Sequence, residues 1–117
     1  MANDLTMVIA QIETLHAVDN LEEIVSVPGL DAIFVGPEDL AASQGLLGMK
    51  GDPRNLEAIQ RILSIGKSHH MPVGIYGMGP DTIKEHVDQG FLFVTIGSDM
   101  SFMQLGLRDV LGRIGRQ

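Results

Sequence analysis

Two carboxylates stand where chemistry could begin. Glu13 closes the apolar run Met7–Ile12, and Asp39 follows a second apolar run, Asp31–Val35, across a Gly-Pro-Glu turn. They lie 26 residues apart, about one strand-plus-helix unit, so adjacent parallel strands would bring both to one rim. Two carboxylates with waters and a substrate oxygen suit a hard, octahedral cation such as Mg²⁺ or Mn²⁺. Such an ion polarises a ketone and stabilises the enolate formed from it. The same residues admit plainer roles, Glu13 as a helix cap and Asp39 as an acidic first-turn residue favoured by the helix dipole. The run Gly36-Pro37-Glu38-Asp39-Leu40 has a second possibility. Pro suits the first position of a helix. The free N–H groups of Glu38 and Asp39 would then offer an anion site, fit for the carboxylate of a 2-oxo acid, unless this is only a helix start.

Other polar residues are expected to be structural. His16 follows Glu13 by three, and a surface position at a helix start is its expected place rather than service as a base. His69 and His70 close a helical segment, where positive charge suits a C-terminus, and adjacent residues on a helix face different ways. His86 is expected to be solvated, the methionines to pack, and Tyr76 to pack in its strand or line the pocket. Asp99 after Gly97, Asp52-Pro53 and Pro80-Asp81 read as turn chemistry, with Asp99 able to support the rim.

These residues must be positioned by a regular alternation. Four runs read as strands: Met7–Ile12, Asp31–Val35, Pro72–Tyr76 and Phe91–Ile96. Continuous apolar runs of this length suit strands covered on both faces, as in a parallel sheet. Ala17–Ser26, Asn55–His69, Pro80–Gln89 and Ser101–Arg113 carry apolar residues at helical spacing. Short helices are also expected after Pro37 and after the Gly51-Asp52-Pro53 turn. The order is βαβαβαβα, an α/β fold with parallel strands. Four such units make half of a (β/α)8 barrel, which needs about 250 residues against the 117 present. A flavodoxin-like open sheet is the alternative, and in both architectures chemistry belongs at the carboxyl ends of the strands.

Composition sets limits. The chain is 44% hydrophobic and 20% charged, enough for a core, and is expected to form one domain over residues 1–117. A net charge of −7 with no dense Lys/Arg cluster argues against nucleic acid. There is no cysteine, hence no disulfide or thiolate chemistry, which fits a reducing compartment. No stretch has the length and apolarity of a membrane span, so a cytoplasmic protein is expected.

The segments Ala10-Gln11-Ile12-Glu13-Thr14, Asn20-Leu21-Glu22-Glu23-Ile24, Pro28 through Leu40, Gly45 and Gly97-Ser98-Asp99 together resemble the HpcH/HpaI aldolase and citrate lyase family, specifically its C-terminal half. The nearest likeness is to class II 2-oxo-3-deoxy acid aldolases, including 4-hydroxy-2-oxoheptanedioate aldolase. The resemblance implies a (β/α)8 barrel and a divalent metal, Mg²⁺ or Mn²⁺ with Co²⁺ admissible. It implies reversible cleavage of 4-hydroxy-2-oxo acids to pyruvate and an aldehyde. On the matching positions it makes Glu13 and Asp39 the metal ligands and sets Gln11 beside bound pyruvate as a catalytic and substrate-binding residue. It makes the amides of Glu38 and Asp39 the seat of the pyruvate carboxylate. The family's catalytic arginine and assisting histidine belong to the first half of the barrel and have no match here. A homo-oligomer, or a partner supplying the other half-barrel, is therefore expected. The alternative is an inactive half-barrel that associates, or that only binds metal and a small carboxylate.

Overall fold

The structure is a computed structural model and describes residues 5–115. Four strands, β1 (Ile9–Ile12), β2 (Ala32–Val35), β3 (Val73–Ile75) and β4 (Phe93–Val94), form one parallel sheet in the order β1-β2-β3-β4. The connections are α1 (Leu15–Asp19), α2 (Leu21–Val25), α3 (Pro37–Ser43), α4 (Pro53–Ser68) and α5 (Pro80–Gln89), and α6 (Asp99–Arg113) follows β4.

Strand periodicity divides the sheet into two different faces. Ile12, Ile33, Val35, Val73 and Ile75 point to one side and form the core with Val18, Leu21 and Val25 of α1 and α2, Leu40 of α3, and Ile59, Ile62 and Leu63 of α4. Residues on the other face, Gln11, Phe34 and Phe93, stay exposed or half-buried. There the Phe34 and Phe93 rings stack at 5.8 Å, across a β3 position that has to be Gly74. A Cβ at Gly74 would lie 2.2 Å from the Phe93 ring. Sequential strand order with the core on one face is the arrangement of a partial (β/α)8 barrel. A doubly wound sheet reverses its strand order and is covered on both sides.

The element boundaries show where local chemistry overrides periodicity. The segment Ala17–Ser26 is two short helices, because Asn20 leaves helical geometry and its side chain donates to the His16 carbonyl at 2.8 Å. The turn at Gly51-Asp52-Pro53 starts no helix of its own. Asp52 caps α4, accepting from the Arg54 amide at 3.0 Å, with Pro53 at the first helical position. β4 is shorter than the run Phe91–Ile96, because Phe91 turns into the core and bonds the His86 carbonyl while Ile96 stays exposed. α5 has the expected bounds, ending on Gly90 in the left-handed region at φ 97°.

α6 begins with a capping box between Ser98 and Ser101, yet none of its residues is buried. Met100, Phe102, Met103, Leu105, Leu107 and Val110 are all at least half exposed. β4 is the last strand of the described sheet, so no further strand lies beyond it for α6 to cover. The radius of gyration is 16.9 Å, whereas a compact chain of this length has about 13 Å. Among the described residues no helix is long and apolar enough to cross a membrane.

Candidate metal and substrate site

The parallel register aligns Gln11 with Phe34 and Ile12 with Val35, which sets Glu13 beside Gly36. The Gly36 amide donates to the Ile12 carbonyl at 3.2 Å and closes the two strand ends together. Gly36 lets the two side chains lie close to the backbone. A Cβ there would lie 3.0 Å from Glu13 Oε2 and 3.2 Å from Gln11 Nε2. Gln11 Nε2 donates to Glu13 Oε2 at 2.6 Å and fixes the direction of the carboxylate.

The turns on either side are locked. Thr14, not Glu13, caps α1, its Oγ1 accepting from the Ala17 amide at 3.1 Å, so Glu13 is released from that alternative role. The Leu15 amide donates to Ser43 Oγ at 3.1 Å, bracing the turn after Glu13 against the end of α3. Gly36 precedes α3, Pro37 takes its first position, and Glu38 and Asp39 fill its first turn.

An open cavity of about 320 Å³ lies at these strand ends, lined in part by Gln11, Glu38, Asp39, Lys50, Tyr76 and Met78. Three of the expected residues, Gln11, Glu38 and Asp39, thus share one space, and the fourth, Glu13, is half-buried beside it and bonded to Gln11. Among the described residues no group of three or more His, Cys, Asp or Glu gathers as a metal site. As a donor set, two carboxylates that leave positions for waters would suit Mg²⁺ or Mn²⁺, which keep several waters when bound. The Gln11 bond and the close approach of Gly36 hold the Glu13 carboxylate in place.

The histidines lie elsewhere. His16 is exposed and within 3.4 Å of the Asn20 amide nitrogen, while His69 caps the C-terminus of α4 and His70 follows it at φ 55°. His86 differs from the expected solvated residue. Its ring meets Phe91 edge-on at 5.4 Å, and Nδ1 is buried with no hydrogen-bond partner. Asp99 opens α6 and accepts from the Met100 amide, a local turn role.

Two residues of this region escape sequence reading. Lys50, in the loop between α3 and α4, pairs with Glu38 at 2.8 Å. Asn55 is fully buried, donates to the carbonyls of Pro37 at 3.1 Å and Lys50 at 2.7 Å, and accepts from Gln44 at 2.9 Å. It staples the Lys50 loop to the start of α3. The available signal was a polar residue in register with Ile59, Ile62 and Gly66 on the buried stripe of α4. At the head of that helix, the Arg54 side chain and amide both bond Asp52 and hold its carboxyl below the usual aspartate range, and Asp52 in turn raises Arg54.

Residues 1–104 match the model of a family described as HpcH/HpaI aldolase/citrate lyase. The chain is 39% identical to 2-dehydro-3,6-dideoxy-6-sulfogluconate aldolase of Pseudomonas putida, over 99% of this chain and 46% of that protein. It is 40% identical to 4-hydroxy-2-oxovalerate aldolase of Novosphingobium aromaticivorans, over 96% of this chain and 43% of the relative. The crystal structure of an HpcH/HpaI aldolase/citrate lyase family protein from Burkholderia cenocepacia J2315 superposes with a TM-score of 0.92 at 35% identity, covering 97% of this chain and 44% of that one. The chain therefore spans less than half the length of these relatives.

Proposed function

The chain belongs to the HpcH/HpaI aldolase/citrate lyase family, and from that premise we propose that it provides the metal-holding half of a 2-oxo-acid aldolase site. Glu13 and Asp39 would hold the divalent cation, Mg²⁺ or Mn²⁺. When bound, the cation supplies Lewis acidity toward a substrate ketone. The observation that carries this reading is the close packing of the Glu13 carboxylate against Gly36, where an added Cβ would press on Oε2, at the end of the strand next to the one that leads to Asp39.

The protein's own residues have distinct tasks in this reading. Gln11 orients Glu13 through its 2.6 Å bond and faces the cavity beside the substrate. The amides of Glu38 and Asp39, at the start of α3, receive the carboxylate of pyruvate. Phe34, Tyr76 and Met78 form the apolar part of the cavity wall. The substrate is a 4-hydroxy-2-oxo acid, cleaved to pyruvate and an aldehyde. Proton transfer falls to groups outside this chain, a contribution of roughly 10²–10⁴ in rate.

Calorimetric titration with Mn²⁺ and then pyruvate tests the site. Wild type should bind both, and Glu13→Gln and Asp39→Asn should lose the metal; equal heats in all three would overturn the assignment. Adding the N-terminal half of the Pseudomonas putida relative with Mn²⁺ should release pyruvate from a 4-hydroxy-2-oxo acid.

Association is favoured by a separate observation. The apolar side chains of α6 and the outer edges of β1 and β4 lack a covering element among the described residues. A homo-oligomer, or a complex with a chain supplying the other half-barrel, would cover them. Light scattering at micromolar concentration should give at least a dimer, and a monomer would contradict this part of the reading.

A further inference from the structure

We infer that Thr95 is a positioning residue for the site: through Gly77 it holds the wall formed by Tyr76 and Met78 against the carbon skeleton of a bound 2-oxo acid. This rests on the 2-oxo-acid aldolase reading of the cavity. The paired register of β3 and β4 ends at Ile75 and Val94. Just beyond it, the Thr95 amide donates to the Ile75 carbonyl at 3.3 Å, and from there the side chain takes over. Thr95 Oγ1 accepts from the Gly77 amide at 3.1 Å and donates to the Gly77 carbonyl at 3.3 Å. One hydroxyl thus serves both peptide groups of Gly77, which have no other partner among the described residues. Gly77 is buried, so without Thr95 an amide and a carbonyl would be left unpaired away from water.

The strand end needs such a hold. Gly77 and Gly79 flank Met78, and Gly79 sits at φ 83°, so the stretch has little restraint of its own. On its other side the Tyr76 amide donates to the Val35 carbonyl at 3.2 Å, which ties Tyr76 to β2 and leaves Gly77 to Thr95. The contact is close: a Cβ at Gly77 would lie 2.9 Å from Val94 Cγ1. Tyr76 and Met78, the neighbours of Gly77 in the chain, both line the strand-end cavity. Glu13 follows β1 and Asp39 lies in α3, so neither belongs to this clip. Loss of the Thr95 hydroxyl therefore loosens the wall that meets the carbons of the ligand and leaves the proposed metal ligands in place.

The test titrates the full chain by calorimetry with Mn²⁺ and then with 2-oxobutanoate, whose extra carbon reaches further along the cavity than pyruvate. Thr95→Val keeps the shape of the side chain and removes the hydroxyl, and Thr95→Ser keeps the hydroxyl. Thr95→Val should hold Mn²⁺ within about twofold of wild type and bind 2-oxobutanoate about fivefold more weakly, the scale of one ordinary hydrogen bond. Thr95→Ser should restore the 2-oxobutanoate affinity to within about twofold. A second readout needs no substitution: in the Mn²⁺-saturated wild type, hydrogen exchange of the Gly77 amide, followed by NMR, should slow about fivefold when 2-oxobutanoate is added. A Thr95→Val protein that is less stable in urea yet binds 2-oxobutanoate as wild type does would overturn this inference alone and leave Thr95 a structural residue. Gly77 exchange unaltered by the ligand would overturn it as well, even where the valine variant does not fold. Failure of wild type to bind either 2-oxobutanoate or pyruvate would overturn the site reading and this inference with it.

Discussion

Replacing Asn55 by alanine should destabilise the protein by about 3 kcal/mol. The side chain is fully buried and makes three hydrogen bonds, donating to Pro37 and Lys50 and accepting from Gln44. An ordinary intramolecular hydrogen bond contributes about 1 kcal/mol net, and a buried carbonyl left without a donor costs about 1–3 kcal/mol. Losing the three bonds therefore costs about 3 kcal/mol. Gln44→Ala removes only one of these bonds, together with the Gln44 contact to the Leu40 carbonyl, and should cost about 1–2 kcal/mol. The two share one bond, so the double variant should fall short of additivity by about 1 kcal/mol. Urea unfolding followed by far-UV circular dichroism gives all four stabilities, with the midpoint moving and the slope unchanged. A loss below about 0.5 kcal/mol for Asn55→Ala would refute the staple, because that is the range of ordinary surface substitutions.

Other perturbations probe separate parts of the argument. Gly36→Ala should weaken Mn²⁺ binding about tenfold with little change in stability. The new Cβ reaches Glu13 Oε2 at 3.0 Å, while the backbone there, at φ −101°, accepts alanine. Unaltered metal affinity by calorimetry would mean that Glu13 is not constrained by that contact. Gly74→Ala should cost about 1–3 kcal/mol through overpacking on the Phe93 ring, and the cost should fall in a Phe93→Ala background, as read by urea unfolding. Asp52 has a folded pKa below its unfolded value, so its contribution is present above the ordinary aspartate value of 3.8 and is lost as pH falls through the folded value. The stability gap between wild type and Asp52→Asn should therefore narrow on acidification, and a gap that widens would reverse the assigned sign.

Much of the fold was legible because burial writes itself as periodicity. All four strands lie inside apolar runs, and α5 spans Pro80–Gln89 with Pro and Gly marking its ends. The failures came where one side chain outcompetes a pattern. Asn20 splits the helix expected over Ala17–Ser26, and Phe91 leaves its strand for the core. The site was half legible. Strand-end spacing places Glu13 and Asp39 on neighbouring units, and Gln11, Glu38 and Asp39 meet in one cavity. Lys50 was invisible, since a lysine in a glycine-containing loop carries no signal until the loop's path is known.

The sequence determines the alternation of strands and helices and the residue types at each strand end, because these follow from local spacing along the chain. Tertiary structure alone decided which face of the sheet the helices cover, that Gln11 rather than solvent holds Glu13, and that Asn55 delivers Lys50 to the rim. Each of these depends on where segments tens of residues apart come together, and no periodicity within a segment encodes that meeting.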